Sequence, residues 1–240
     1  MNLGDHVDDV PECVAANRAL LQKAIGTQAV FLKQVHGTDV QALDVATPNG
    51  LPADACVTTQ RKLACTIMVA DCLPVLLTTQ AGDVVAAAHA GWRGLVGVGC
   101  KNGAGVLEAT FDSFYASFRP VAQSNRARAA TETIAWLGPC IGPSAFEVGA
   151  EVKAAFETSQ PDAARCFVAA GAGKYLADLA GLARLRLQAL GITQIFGNDG
   201  SVPWCTVSHP TKFFSHRRDA GLAGNGFRTT GRMAASIWLE

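Results

Sequence analysis

Three apolar runs joined by two short polar connections constrain the fold of this chain more than any other feature. The runs ACTIMVA, LPVLLTT and VVAAAH cover residues 64–70, 73–79 and 84–89. The first two are rich in β-branched and other apolar residues, a composition typical of buried strands. Residues 80–83, QAGD, provide turn chemistry between the second and third runs, so the sequence predicts a β-hairpin there.

The rest of the chain predicts helices inserted between further strands. The helices are expected at 9–25, 98–110, 147–157 and 175–190, and the other strands at 29–35, 39–44, 133–138, 193–196, 204–207, 212–217 and 234–239. Segment 112–131 has no clean period and is interpreted as a long surface loop or a ragged helix. Strands that arrive as hairpins with helices between them indicate an α+β fold with mixed, largely antiparallel sheets. No repeat or linker divides residues 1–240, which predicts a single domain.

Composition excludes several classes of protein. Hydrophobic residues make up 49% of the chain and charged residues 17%, so it can bury a large core and is not a disordered scaffold. Twenty basic and twenty acidic residues balance, which argues against a nucleic-acid or membrane-surface partner. The start resembles no secretory signal and no apolar run reaches 18 residues, so we expect a cytoplasmic protein whose eight cysteines stay reduced.

Polar side chains follow three of the predicted strands. His36 ends the strand at 29–35, Asp71 and Cys72 follow the run at 64–70, and His89 ends VVAAAH. Adjacent strands that end together would bring these side chains to one rim. One thiolate and two imidazoles would form a three-ligand zinc site with a fourth position open. The same residues also fit a cysteine nucleophile paired with a histidine base, or buried structural side chains.

The chain resembles the laccase-domain family, also described as the multicopper polyphenol oxidoreductase or purine nucleoside phosphorylase-like family. The matching segments occur in the family's order and cover most of the chain: NLGDHVDDVPECVAANR (2–18), KQVHGTDV (33–40), ADCLPVLL (70–77), AAAHAGWRGL (86–95), WLGPCIGPSAFEVG (136–149), DL (178–179) and FFSHRRDAG…TGR (213–232). Each segment alone is a weak signal, but together they are highly specific.

The resemblance implies a four-layer α-β-β-α sandwich and a zinc site whose ligands are His36, Cys72 and His89. It also implies phosphorolysis of purine nucleosides such as adenosine, inosine and methylthioadenosine, with adenosine deamination by a zinc-activated water. The expected partners are therefore a purine nucleoside and phosphate. Copper is disfavoured, because a multicopper oxidase needs several histidine-rich centres and this chain has five histidines in all.

The implied phosphorolysis requires a phosphate dianion held near the ribose C1′. Arg18, Arg93 and Arg217 are the candidate cradle, helped by Asn2, because the guanidinium fork donates two hydrogen bonds to phosphate. Asp71 is expected to orient a metal ligand or to act as an acid–base group. Its alternative interpretation is a turn aspartate that hydrogen-bonds the backbone.

The chain departs from the family pattern at its start. The family usually has a further strand before the NLG segment, whereas this chain opens at Met1 and Asn2. We therefore expect part of the nucleoside pocket to be lacking. Two alternatives stand beside the phosphorylase: a zinc-stabilised binding protein that has lost catalysis with that strand, and a cysteine hydrolase of a cell-wall precursor amide with Cys72 as nucleophile.

Overall fold

Six consecutive strands follow the first helix in the computed structural model, which describes residues 1–99, 103–117, 125–220 and 229–240. The strands are β1 (Gln28–Phe31), β2 (Val40–Ala42), β3 (Ala55–Thr58), β4 (Leu63–Val69), β5 (Leu73–Thr79), β6 (Val85–Ala90), β7 (Thr133–Leu137), β8 (Glu147–Gly149), β9 (Phe167–Gly171), β10 (Lys174–Ala177), β11 (Gln194–Gly197) and β12 (Met233–Trp238). The helices are α1 (Pro11–Ile25), α2 (Trp92–Val96), α3 (Val106–Ala116), α4 (Arg126–Glu132), α5 (Ala150–Ser159), α6 (Leu179–Ala189) and α7 (His216–Asp219). Two 3₁₀ helices cover Pro161–Cys166 and Val202–Trp204.

A six-stranded sheet with the order β11-β7-β5-β6-β3-β2 contains the predicted hairpin at its centre. Strands β5 and β6 pair antiparallel, with Leu73 opposite Ala90 and Thr78 opposite Val85, so the hairpin prediction is confirmed. The two outer pairs, β11 with β7 and β2 with β3, are parallel. All six residues of β6 are buried, because this strand is covered on both faces of the sheet. Its small alanine side chains let the neighbouring layers approach closely.

A second sheet, of order β1-β4-β12, packs face to face against the first. Apolar side chains from both sheets fill the space between them, among them Cys65 and Ile67 from β4 and Val85 and Ala87 from β6. Helix α1 covers the outer face of the small sheet. Helices α3 and α6 cover the outer face of the large sheet. The four layers are therefore α-β-β-α, and the expected α+β sandwich is confirmed.

A third, antiparallel sheet of order β8-β10-β9 corrects two of the helix predictions. The helices expected at 147–157 and 175–190 were wrong in their first turns, where the chain forms β8 and β10. Helix α5 starts only after Gly149, and α6 starts after Asp178, whose carboxylate accepts a hydrogen bond of 2.8 Å from the amide of Gly181. Strand pairing with distant segments thus overrides the local helical period.

The strands predicted at 204–207 and 212–217 were wrong. The first segment follows a 3₁₀ turn and forms an isolated bridge between Cys205 and Cys140, and the second leads into α7. Both segments instead hydrogen-bond the side chain of Asp71, through the Thr206 hydroxyl and the Arg217 amide. Such long-range contacts leave no periodic signal in the sequence.

The helix expected at 98–110 was also misplaced. Gly97 has a left-handed φ of 77° and ends α2, while α3 begins only at Val106. The ragged segment at 112–131 contains the end of α3 and most of α4, and residues 118–124 and 100–102 lie outside the described residues. In the part of the chain that the structure describes, no helix combines the length and apolarity needed to cross a membrane.

One buried cation connects four of the helices. Arg186 on α6 is 7% exposed and pairs with Glu108 of α3 at 3.1 Å. Its guanidinium also donates to the Val96 carbonyl at the end of α2 and to the Ser159 hydroxyl at the end of α5. Because the partners come from separate elements, this side chain stabilises the packing of the outer helical layer.

Replacing Arg186 by alanine is expected to lower the free energy of unfolding by on the order of 3 kcal/mol, because Glu108 would be left partly buried and unpaired. Urea denaturation followed by circular dichroism measures this loss. Arg128→Ala is the matched control, since Arg128 forms an exposed pair with Glu132, and we expect little change from it. The double variant Glu108→Gln, Arg186→Met should be more stable than Arg186→Ala alone. Equal stability of the wild type and Arg186→Ala would contradict this account.

Candidate metal centre and its pocket

The three predicted ligands converge. The candidate donor atoms of His36, Cys72 and His89 all lie within 4.8 Å of one another. His89 is a buried residue of β6, Cys72 immediately precedes β5, and His36 lies in the loop after β1. The Sγ atom of Cys72 is 3.7 Å from Nε2 of His36, and the two imidazole rings meet edge to face with centroids 4.8 Å apart. We call these three residues the HCH centre.

The HCH centre is held by a buried carboxylate that the sequence analysis missed. Asp54 is fully buried just before β3 and accepts a 2.8 Å hydrogen bond from Nδ1 of His89. The same carboxylate accepts hydrogen bonds from the amides of Val35, His36 and Gly37, at 3.1, 2.9 and 2.7 Å. It therefore fixes both the loop that carries His36 and the ring of His89. The sequence signal was an aspartate inside the apolar stretch ADAC at 53–56.

Hydrogen bonding to Asp54 also selects the tautomer of His89. With Nδ1–H donated to the carboxylate, Nε2 is left as the donor atom that faces the HCH centre. Burial raises the pKa of Asp54, but the hydrogen bond and charge of His89 and the amides of Gly37 and Val35 hold this pKa below its usual value. The carboxylate is thus ionised in the folded protein and polarises the imidazole.

The thiol of Cys72 is strongly activated. Burial raises its pKa, but the charge of His89 and hydrogen bonds with His36 and His89 lower this pKa to about 6. Burial lowers the pKa of His89, whereas the Cys72 thiolate and Asp54 raise it to about 9. The two side chains therefore form a thiolate–imidazolium pair near neutral pH, and the thiolate is the form that binds metals and attacks electrophiles.

The donor set fits a tetrahedral transition metal. A zinc ion at its usual bond lengths to sulfur and nitrogen would place those two atoms about 3.6 Å apart, close to the 3.7 Å between Cys72 and His36. Three protein ligands leave one position for water or substrate. Among the described residues, this is the single group of three or more His, Cys, Asp or Glu side chains arranged to hold a metal.

The turn after β6 is shaped by the HCH centre. A Cβ atom on Gly91 would lie 2.8 Å from Cδ2 of His36 and 3.1 Å from Sγ of Cys72, and one on Gly94 would lie 2.7 Å from the Gly37 carbonyl oxygen. The segment HAGWRG therefore needs glycine at both positions. His36 and Asp71 themselves have positive φ angles of 61° and 89°, which cost on the order of 1 kcal/mol each outside glycine.

The HCH centre opens into a cavity of about 390 Å³. Such a volume is typical of small-molecule sites. The remaining lining residues are the apolar Met68, Val69, Ala70, Trp92, Ile141, Phe146 and Leu179 and the polar or charged His6, Gln34, Asp71, His216, Arg217 and Arg232. The cavity lining therefore combines apolar side chains with the positive charge of two arginines.

Asp71 lines the cavity, but both of its carboxylate oxygens are occupied. Oδ1 accepts a 2.5 Å hydrogen bond from the Thr206 hydroxyl and Oδ2 a 2.6 Å bond from the amide of Arg217. These donors lie 135 and 146 residues away along the chain. The observed contacts make Asp71 the anchor that brings two later segments to the rim next to Cys72.

Of the four residues expected to bind substrate, the structure places Arg217 in the cavity wall. Arg18 lies over the ring of Phe31 and pairs with Asp5, and Arg93 is exposed with its guanidinium over Trp92. Asn2 is buried and accepts a hydrogen bond from the amide of Arg232. These three side chains do not line the cavity.

The chain is similar to proteins of several bacteria. The family described as multi-copper polyphenol oxidoreductase laccase matches residues 1–240. A Pseudomonas aeruginosa protein named purine nucleoside phosphorylase PA4543 is 42% identical over 241 residues, covering all of this chain and 86% of that protein. An Escherichia coli K12 protein named purine nucleoside phosphorylase YfiH is 44% identical over the same shares. The crystal structure of Neisseria meningitidis protein NMB0706 is 43% identical with a TM-score of 0.82, covering all of this chain and 86% of that one.

Replacing Asp54 by asparagine is expected to weaken metal binding about 10- to 100-fold, because the His89 ring loses its charged acceptor and the loop of His36 is released. Titration with Co²⁺, followed by the thiolate-to-metal charge-transfer absorption, reports the affinity directly. Asp39→Asn is the matched control, since Asp39 is an exposed carboxylate just beyond the same loop. Unchanged Co²⁺ affinity in Asp54→Asn would refute the role given to this residue.

Proposed function

The chain belongs to the multi-copper polyphenol oxidoreductase laccase family, and we propose that it is a purine nucleoside phosphorylase. The observation that carries the proposal is the position of the HCH centre in a cavity lined by both apolar and cationic side chains. A purine nucleoside and a phosphate ion together present those two kinds of surface. Relatives more than 40% identical over the whole chain carry the same name.

Zinc is the metal that we assign to the HCH centre. The support is chemical: one thiolate and two imidazoles with an open fourth position are a catalytic zinc donor set. When bound, zinc supplies a Lewis acid that lowers the pKa of a coordinated water to near 7. His36, Cys72 and His89 would hold the ion, and Asp54 would hold His89 in the correct tautomer.

In the proposed phosphorolysis, a phosphate oxygen forms a bond to the ribose C1′ as the bond from C1′ to N9 of the purine breaks. The bonding electron pair leaves with the base, which takes up a proton, and the second product is ribose 1-phosphate. Trp92 and Phe146 would stack against the purine, because flat aromatic and heterocyclic rings pack face to face or offset. The cationic side chains of the lining would hold the dianion.

The proposal includes adenosine deamination at the same centre. Water adds to C6 of the purine and gives one proton to N1 and one to the amino group, and the bond from C6 to the amino nitrogen breaks as ammonia leaves. Deamination would use a water activated at the HCH centre, whereas phosphorolysis would use the centre only as a Lewis acid, so both activities should depend on it. They differ in co-substrate, because deamination yields inosine without phosphate and phosphorolysis releases the free base.

A second candidate function is a cysteine hydrolase that acts on an amide. The observation that favours it is the array of Cys72, His89 and Asp54, in which an activated thiolate lies beside a histidine that a buried carboxylate orients. In this function Cys72 attacks the carbonyl carbon, and the protonated His89 donates its proton to the departing amine. Metal binding would block this chemistry, because it occupies the thiolate.

The phosphorylase is tested by base release from inosine and adenosine, with and without phosphate, on protein of known metal content. We expect about one zinc per chain and base release only with phosphate. Cys72→Ala should lose most of the zinc and at least a hundredfold in turnover, as expected when several kcal/mol of Lewis-acid stabilisation disappear. Cys13→Ala, which removes an exposed thiol of α1, is the control and should match the wild type. No base release from zinc-loaded wild type would refute the proposal and favour a zinc-stabilised binding protein.

Metal dependence separates the two candidate functions. Removal of zinc with a chelator should abolish phosphorolysis, and re-addition should restore it. A cysteine hydrolase should instead gain activity on amide substrates when the metal is removed, and iodoacetamide should then inactivate it through Cys72. Amide hydrolysis that rises on chelation, together with absent phosphorolysis, would replace the first proposal by the second.

A further inference from the structure

We propose that Arg232 is the residue that holds the phosphate of the reaction, and that the segment Asn2–Leu3–Gly4 positions it. The inference rests on the proposed phosphorolysis and assigns the anion subsite within the same cavity. It differs from the expectation drawn from the sequence, in which Arg18, Arg93 and Arg217 formed the cradle and Asn2 touched the substrate.

The guanidinium of Arg232 has N–H donors available for a ligand. Its Nη1 donates to the carbonyls of Thr230 and Gly231, at 2.7 and 3.3 Å. Among the described residues, Nε and Nη2 have no hydrogen-bond partner, and no carboxylate lies within 4.0 Å of the side chain. The side chain is partly buried and lines the cavity. Nε and Nη2 form the edge of the guanidinium that binds phosphate oxygens in pairs.

Two of the other candidate arginines have hydrogen-bond partners elsewhere, and Arg93 does not line the cavity. Arg217 donates Nη1 and Nη2 to the carbonyls of Ala145 and Glu147 at the exposed rim. Arg18 donates Nε to the Leu3 carbonyl and pairs with Asp5, outside the cavity. To bind phosphate, Arg217 and Arg18 would have to give up these contacts. Arg232 would instead use its Nε and Nη2 donors.

The charges around Arg232 also suit an anion. Asp71 is the one carboxylate among the described residues that line the cavity, and its two oxygens already accept hydrogen bonds, while the Cys72 thiolate is paired with His89. His6, His216 and Arg217 line the same cavity and add donors or positive charge. Burial lowers the pKa of Arg232, while Cys72 and Asp71 raise it, and an arginine stays protonated at neutral pH after any such change. A phosphate dianion bound there would therefore compensate the guanidinium for the contacts with water that it loses on burial.

Residues 2–4 hold the backbone of Arg232 and lie against its aliphatic stem. The carboxamide oxygen of Asn2 accepts from the Arg232 amide at 2.7 Å and from the Gly4 amide at 2.9 Å, and the Leu3 amide donates to the Arg232 carbonyl at 3.0 Å. A Cβ atom on Gly4 would lie 2.8 Å from Cγ of Arg232. Gly4 thus leaves room for the aliphatic stem, and Asn2 fixes the backbone from which the stem extends.

The test of the anion subsite is Arg232→Gln, which keeps the aliphatic stem and removes the charge. We expect the dissociation constant for inorganic phosphate, measured by calorimetry without nucleoside, to rise at least tenfold. The KM for phosphate in phosphorolysis should rise equally, with the KM for inosine nearly unchanged. Arg232→Lys should fall between the two proteins, since a single ammonium cannot donate side-on. Arg128→Ala, which removes an exposed arginine of α4, is the charge-matched control and should leave both constants unchanged.

The positioning role is tested by Gly4→Ala. The added methyl group should displace Cγ of Arg232, so we expect a several-fold higher KM for phosphate, a nearly unchanged KM for inosine and a melting temperature close to that of the wild type. A merely structural role for this segment would lower the melting temperature without separating the two KM values. That pattern would overturn the positioning part of the inference.

The outcomes distinguish this inference from the proposed function. If the wild type phosphorolyses inosine and Arg232→Gln keeps its phosphate affinity and KM, the assignment of Arg232 is wrong and the phosphorylase stands. If the wild type binds phosphate through Arg232 but releases no base, the anion subsite stands and the phosphorylase fails. Absence of both phosphate binding and phosphate-dependent turnover in the wild type would overturn both.

Discussion

The carboxylate of Asp54 is the interaction on which the HCH centre depends. It is fully buried, and it reaches Nδ1 of His89 on one side and three successive amides, at residues 35–37, on the other. One ionised group thereby joins β6, in the middle of the large sheet, to the loop that follows β1 of the small sheet. Burying a charge is costly unless it is fully hydrogen-bonded, and here four donors meet that requirement. The positive φ of His36 is tolerated because these bonds hold its backbone on both sides.

Much of the fold followed from local patterns. The apolar runs at 64–70, 73–79 and 84–89 form β4, β5 and β6 within one or two residues, because strands buried on both faces need continuous apolar sequence. The strands at 147–149 and 174–177 were missed because they pair with each other across 25 or more residues inside segments with helical periodicity. The segments at 204–207 and 212–217 have the composition of strands, but hydrogen bonds to Asp71 determine their conformation.

The residues of the candidate site were likewise predictable only where a local pattern marks them. His36, Cys72 and His89 were identified because each lies where an apolar strand meets a polar connection, and the structure brings their donor atoms together. Asp54 escaped because a single aspartate beside alanines has no distinguishing pattern. The arginines were identified by their charge, but their positions were not predictable. The direction of a long flexible side chain such as Arg18 or Arg93 depends on neighbours such as Phe31 and Trp92.

The hydrogen bond between Asn2 and the Arg232 amide spans 230 residues, nearly the whole chain. Strand β12, which follows directly, pairs with β4 across a shorter but still long interval, from Met233 opposite Val69 to Trp238 opposite Ala64. Contacts of such sequence separation form late, because the loop they close must first be ordered. During synthesis the first segments can assemble the ligands at 36, 72 and 89 while the last strand is still inside the ribosome. The HCH centre can thus assemble in the nascent protein well before Arg232 joins the cavity lining.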